Sequence, residues 1–586
     1  MHRTVTRVLR LALLFPLVTA EASAQDEAVV EQLAPILAAE DARDFRPELF
    51  RSALVAPDSL VRRLAATAAG RIGHPGATPM VVPLLTDPDS TVRVAAAFAL
   101  GLIGDSAAIQ PLMERITGLP VADEPTVLEA ITALAKIGGR RVGEFFGGIL
   151  GGRVVPSREE RRALIGQIVL ESWRLGGDAP VTALLPFLDD TAASFRWGTT
   201  YTLGRVKAVA AASRLTTALR DPASMVRAMA ARGLTRDFVD TAGLAPATVG
   251  ALLARTAADP SVSVRINALR SLAGFHDPTL VPEILPLLND QSPNVQAQAA
   301  ATAGDLGGAQ AVKPLTRLAG GKGPFGVRRE ALVALARVDS AGFIGASARW
   351  RASSDWRERA AAAEGTALVA PGGRPWFLSD RDPRVIAAGL QAWAGATEGF
   401  DADLTAAARS LLQHPDAGVR SVAADAVARA ADPEDLPVLS AAFRRTGRDS
   451  FPDAALAALG GLLAIRSSSS AAQARVDREF LPSAPRPDDY VVRRWAEENW
   501  PEASARWGPS APVATGKSPQ DYRDLIRRFI LSPDSIARPR ILIETDQRGT
   551  IEVELLGPQA PMTVANFLRL VDRRFFDGNR WHRVVP

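Results

Sequence analysis

The sequence predicts a mainly α protein: an α-solenoid of short two-helix repeats, followed by a tail that turns to β periodicity. Three observations carry that reading. A helical pattern recurs about every 31 residues through most of the chain. Small residues, alanine above all, fill the positions where neighbouring helices would meet. Beyond residue 539 the apolar period shortens from that of a helix to that of a strand. At 586 residues the chain exceeds what one hydrophobic core holds, and an extended array accommodates that length.

The repeat is clearest in LLTDPDSTVRVAAAFALGLIGDSAAIQPL, residues 84–112, and returns around Val226, Val264, Val295 and Val419. With the valine of each VR or VQ pair as a ruler, Val61 to Val92 and Val264 to Val295 are 31 residues apart, and Val295 to Val327 is 32. Within one unit Val92, Ala96, Ala99 or Leu100, and Ile103 share a helix face. Asp87 or Asp89 caps the helix start, Pro88 suits its first turn, and Gly104 a left-handed stop. Alanine lets adjacent helices approach, so each pair packs on the next and none buries its face alone. The pattern resembles the HEAT repeat in the short form of bacterial HEAT-like proteins. That resemblance runs through residues 25–506, with the ruler slipping between Pro120 and Asp190 and again after Pro433. It implies that an arginine such as Arg93 or Arg265 pairs with an aspartate along the stack. The alternative is solvated surface charge of little energetic weight.

Composition removes several function classes. The 68 basic and 64 acidic residues nearly cancel, and no basic cluster is interleaved with aromatics, which argues against nucleic acid as a partner. Zero cysteines exclude disulfides, thiolate metal sites and a cysteine nucleophile. His2, His74, His276, His414 and His582 stand singly, so no metal and no cofactor is expected. GKGPFG, residues 321–326, satisfies G-x-G-x-x-G but follows no strand, and reads as a loop. At the start, Arg3, Arg7 and Arg10 precede the apolar run LALLFPLV, and Ala22-Ser23-Ala24 has the small-x-small form of a cleavage site. Residues 1–24 are therefore expected to be a signal peptide, leaving Gln25 first in an exported, periplasmic or secreted protein. The apolar run is too short to span a bilayer, so no stable membrane insertion is expected after cleavage.

The tail begins with linker-like composition. RSSSSAAQ (466–473), LPSAPRPDD (481–489) and GPSAPVATGKSP (508–519) are rich in Ser, Pro and Gly. Residues 507–538 read as a linker holding one short amphipathic helix, DYRDLIRRFI. In residues 539–586 the order becomes strand, strand, helix, turn, strand. Ile541 and Ile543 face one way, as do Ile551, Val553 and Leu555, with Gln547-Arg548-Gly549 between as a hairpin turn. Val564, Phe567, Leu568 and Val571 follow at helical spacing, then the Asp577-Gly578 turn and the strand RWHRVVP.

Three strings in this order, GTIEVELL, APMTVANFL and FFDGNRWHRVVP, resemble the opening of a cyclophilin-type peptidyl-prolyl cis-trans isomerase. That family shows G-x-I-x-x-E-L, A-P-x-T-V-x-N-F and Y/F-D-G-x-x-F-H-R-V-I-P; Trp581 stands here where it usually has phenylalanine. The resemblance implies a portion of a β-barrel, a catalytic role for Arg583, and a pocket-wall place for His582 beside it. It covers about the first third of a cyclophilin, so the domain is expected to be cut and inactive as it stands. The implied activity is isomerisation of proline-containing polypeptides, with the solenoid holding clients or a protein partner. The rival expectation is a non-enzymatic scaffold whose cyclophilin portion is incomplete.

Overall fold

The computed structural model describes residues 24–118, 124–152, 162–369, 375–397, 399, 401–508, 512–545 and 549–579. The expected signal segment lies outside them up to residue 23. The described chain is mainly α and falls into two compact units, Met1–Leu184 with Pro512–Pro586, and Leu185–Ala511. In the first unit α1 (Ala24–Asp41), α2 (Ser59–Ile72), α3 (Ser90–Ile103) and α4 (Glu124–Ile137) pack in succession. The carboxylates of Asp58 and Asp89 accept the N–H groups of Leu60 and Thr91, each at 2.8 Å, and so cap α2 and α3. Gly73 and Gly104 end these helices at φ 74° and 75°, the left-handed stop that the sequence places there.

The predicted face is the one that packs. Val92, Ala96, Ala99 and Leu100 are fully buried, and Ile103 is half-buried. The closest approach, however, is made by glycine. A Cβ on Gly70 would stand 2.4 Å from Ala99 Cα, and one on Gly101 would stand 2.7 Å from Ala133 Cα. No side chain fits at either crossing without a backbone shift. Across the register slip after Pro120, α4 still packs on α3.

The second unit continues the pattern through α5 (Ser224–Gly233), α6 (Val262–Ala273), α7 (Pro293–Leu306), α8 (Phe325–Val338), α9 (Trp356–Leu368), α10 (Pro383–Ala396), α11 (Ala417–Ala428) and α12 (Asp453–Ser468), each against the next. Residues 321–324 of the GKGPFG string form the turn into α8, as expected, while Phe325 and Gly326 already belong to the helix. One expectation fails here. The serine-rich 466–473 is not a linker: α12 runs into it, and α13 (Ser470–Glu479) starts after a single extended residue, Ser469. The Ser469 hydroxyl caps α13 by accepting the Ala472 N–H at 3.1 Å. Buried Ala472 and Val476 hold α13 down, and Arg466 is tied to Asp477 at 2.8 Å. Serine at a helix junction has the same composition as serine in a tether, and burial of the residues beyond it decides between them.

The arginine after the repeat valine, or at its place, joins successive units. Arg62 pairs with Asp87, Arg196 with Asp221, Arg227 with Asp259, Arg265 with Asp290, Arg359 with Asp380, and Arg420 with Asp449. These groups are largely buried, so the solvated-charge alternative does not hold at Arg265. In each case Nη1 also donates backward to the turn preceding its own helix: Arg227 reaches the carbonyls of Asp221 at 2.8 Å and Pro222 at 3.0 Å. Arg93 makes the same backward bonds, to Asp87 and Pro88.

The first unit is completed from the C-terminal part of the sequence. The helix expected in 507–538 is present as α14 (Pro519–Phe529), opened by a capping box between Ser518 and Asp521. It packs against α1. β1 (Arg540–Glu544) and β2 (Thr550–Glu554) then form an antiparallel hairpin, and α15 (Pro561–Asp572) follows.

Candidate functional site

The hairpin has the predicted faces; of the expected turn, Gln547 and Arg548 lie outside the described residues. Ile541 opposes Val553 and Ile543 opposes Ile551, so the apolar residues share one face, and Arg540 reaches Glu552 on the other at 3.0 Å. Thr545 and Gly549 close the ladder through an N–H to carbonyl bond of 2.9 Å. Pro561 opens α15, where its missing N–H is no loss, and the Val564 N–H returns to Ala560 at 2.9 Å. Pro561 and Val564 are buried, while Phe567, Leu568 and Val571 are half-buried. The Asp577-Gly578 turn is present, with Gly578 at φ 74° and the Asp577 N–H donating to Arg574 at 3.2 Å. Phe576 packs against Phe567 with the rings tilted at 33° and their centres 5.0 Å apart.

The two residues singled out for chemistry, Arg583 and His582, lie outside the described residues, as does the strand RWHRVVP. What the structure does place is the scaffold before them, and much of its apolar surface is uncovered: Ile551 is 44% exposed and Phe575 62%. Among the described residues no group of three or more His, Asp or Glu could hold a metal ion.

The hairpin and α15 rest on residues 512–538, whose composition reads as a linker with one short helix. The Leu555 N–H donates to Pro539 at 2.9 Å. Gly557 passes so close to α14 that a Cβ there would lie 2.1 Å from the Ala537 carbonyl oxygen and 2.6 Å from the Phe529 ring. Arg71 of α2 donates to the Gln559 carbonyl at 2.7 Å and to Glu40 at 2.8 Å. On α14, Tyr522, Ile526 and Phe529 are buried. Burial raises the Tyr522 phenol, whose hydroxyl donates to Asp41 at 2.9 Å and also meets Thr515. The signal that could have found this contact is the strength of the apolar stripe on DYRDLIRRFI, which a free tether does not need.

The second unit carries its own concavity, a groove of about 540 Å³ across α8, α9 and α10. Val333, Leu368 and Ala388 line it with the polar groups of Arg337, Glu364 and Gln391. Burial raises Glu364, against the opposing charge and hydrogen bond of Arg329. That size lies within the range of ligand-binding clefts.

Comparison with known proteins agrees with both parts. The family model described as HEAT repeats matches residues 47–135 and 249–336, and that described as cyclophilin type peptidyl-prolyl cis-trans isomerase/CLD matches residues 540–586. A peptidyl-prolyl cis-trans isomerase of Synechococcus elongatus is 44% identical over 45 residues, which is 8% of this chain and 30% of the relative. Peptidyl-prolyl cis-trans isomerase-like 1 of Homo sapiens is 36% identical over 55 residues, 9% of this chain and 32% of the relative. The chain thus spans about a third of the length of the curated relatives it matches. Among solved structures, Kap121p bound to Pho4p aligns with 86% of this chain and 69% of its own at 12% identity and a TM-score of 0.45. Importin beta in an ammonium sulfate condition aligns with 82% and 72% at 13% identity and a TM-score of 0.35. The chain carries HEAT repeats in an α-solenoid and, at its C-terminus, part of a cyclophilin-type peptidyl-prolyl cis-trans isomerase domain.

Proposed function

We propose that the protein is a peptidyl-prolyl cis-trans isomerase acting on exported polypeptides, with the solenoid binding clients or a protein partner. The observation that carries this reading is the match of residues 540–586 to the isomerase family, supported by a hairpin, helix and turn in the expected order. Rotation about a prolyl peptide bond breaks amide resonance and meets a barrier of about 18–20 kcal/mol. At the twisted transition state the prolyl nitrogen regains a lone pair. A guanidinium held at Arg583 would donate to it and hold the substrate carbonyl, with His582 forming the pocket wall. Stabilising the twisted state more than either planar isomer is differential binding, and it requires no nucleophile. The match covers about a third of the curated relatives' own length, and turnover is proposed to need the rest of that domain. The groove across α8, α9 and α10 supports a second reading, a non-enzymatic scaffold that binds protein through the array.

The test is a protease-coupled or NMR exchange assay on an X-Pro peptide. It compares the protein expressed in full from its own gene with Arg583→Ala in the same protein. Turnover that falls with Arg583→Ala supports the isomerase. A protein that folds but does not turn over, or one indifferent to Arg583, leaves the scaffold reading.

A further inference from the structure

A repeat array has two end helices with a neighbour on one side only, and an exposed apolar end is a liability that terminal caps with a polar outer face remove. In the first unit α1 packs on α2 along one side. It is also covered by α14, which comes from almost 500 residues later in the sequence. The amphipathic pattern of α14 is that of a cap. Tyr522, Ile526 and Phe529 turn inward and are buried, whereas Gln520, Asp521, Asp524 and Arg528 are exposed.

The contact has a defined register. Going along α1, Glu27 meets Arg527 at 2.8 Å, Glu31 meets Arg523 at 2.6 and 2.9 Å, and Asp41 meets Lys517 at 2.7 Å. The order descends on one strand of the contact as it ascends on the other, so the two helices run antiparallel. The Val513 N–H donates to the Ala42 carbonyl at 2.7 Å, extending the match by backbone. Each acid is on α1 and each base on the incoming segment. Arg523 holds the Glu31 carboxyl below its ordinary range. Exposed pairs of this kind fix alignment more than they add strength, and burial of the three large side chains supplies the strength.

The same segment continues directly into the hairpin. Phe529 contacts Gly557, and Arg71 of α2 holds the Gln559 carbonyl, so residues 555–560 rest on α14 and α2 together. We propose that residues 512–538 are the N-terminal cap of the repeat array, and that they join the first repeat and residues 540–579 into one cooperatively folding body. This inference stands on the contact alone and is independent of whether the isomerase portion turns over.

The test is hydrogen exchange on the full chain, read separately over residues 24–41, 540–579 and 224–468. Reversing both bases, Arg523→Glu with Arg527→Glu, is expected to lower protection of residues 24–41 and 540–579 together, by about tenfold or more, and to leave 224–468 unchanged. Adding Glu27→Arg and Glu31→Arg to that variant is expected to return protection to both segments. Ile526→Asp should expose the same two segments without rescue by the charge swap. Loss of protection in one of the two segments without the other overturns the proposal. So does a charge swap that fails to restore, because the register would then not be the one described.

Discussion

Asp259→Ala is the sharpest test of what holds the array together. Asp259 accepts Arg227 through both carboxylate oxygens, at 2.7 and 2.9 Å, and both side chains are buried. It also accepts the Ser261 N–H at 3.0 Å, closing the turn ahead of α6. Removing the carboxylate strands a guanidinium that keeps only its two backward bonds to the Asp221 and Pro222 carbonyls. Breaking a buried pair by deleting one partner costs about 3–5 kcal/mol, and the retained carbonyl contacts place the expected loss near the lower end, about 3 kcal/mol. The control is Asp189→Ala, whose pair with Arg214 leaves the carboxylate 79% exposed, and which should shift stability by less than about 0.5 kcal/mol. Urea unfolding followed by circular dichroism gives both values, and hydrogen exchange should show the Asp259 loss centred on α5 and α6. Equal shifts for the two variants, or an Asp259→Ala loss below about 1 kcal/mol, would refute the view that the buried ladder is structural.

Three further outcomes can be measured. Gly101→Ala should destabilise by about 1–2 kcal/mol in the same unfolding assay despite the better helix propensity of alanine, because its Cβ would meet Ala133; a gain in stability would mean the crossing is looser than described. Hydrogen bonds from Arg62 hold Asp87 below the ordinary carboxylate range. At Asp259 and Asp380 burial pushes upward, but the arginine hydrogen bonds, backbone N–H groups and opposing charges prevail. Stability from such groups is present above the unfolded carboxylate value of about 3.9 and is lost as pH falls through the lower folded values, so the urea midpoint should fall steeply below about pH 4. A midpoint flat down to pH 2.5 would contradict this. If the chain is exported as proposed, N-terminal sequencing of periplasmic material should begin at or near Gln25, and a protein retaining residues 11–18 would not fit.

The solenoid was legible because its signals are local. Valine, alanine and glycine recur at fixed spacing, so one unit read correctly is many units read correctly, while the pairing of Arg265 was implied by the resemblance to HEAT repeats beside a solvated-charge alternative that its burial removes. The hairpin was legible for the same reason, since a period of two and a short turn specify register without help from elsewhere. Two features were not. Composition cannot separate the capping serine Ser469 from a tether serine, and only buried Val476 beyond it tells them apart. The seat of α14 was hidden because Arg523 and Glu31 are 492 residues apart, and nothing local to either specifies the other. The amphipathic stripe announced that something would cover it without saying what. The chemistry expected at Arg583 rests on the motif order alone.

The backward reach of each ladder arginine bears on how such a chain can change length. Arg227 clamps its own entry turn through carbonyls that any sequence supplies, and asks of its neighbour only a carboxylate at the next entry turn. The units joined by the six arginine–aspartate pairs therefore present the same plug and the same socket. Loss of residues 260–290 in one step would remove one socket together with one plug, and leave Arg227 facing Asp259 as before. The Gln296 amide, which makes the backward bond to Asp290 at 2.7 Å, would then clamp the turn after Asp259 in place of Arg265. Lengthening by duplication is symmetrical. A chain jointed in this way can gain or shed whole units while every surviving junction keeps its fit, whereas a single residue inserted between a turn and its arginine would break two joints at once.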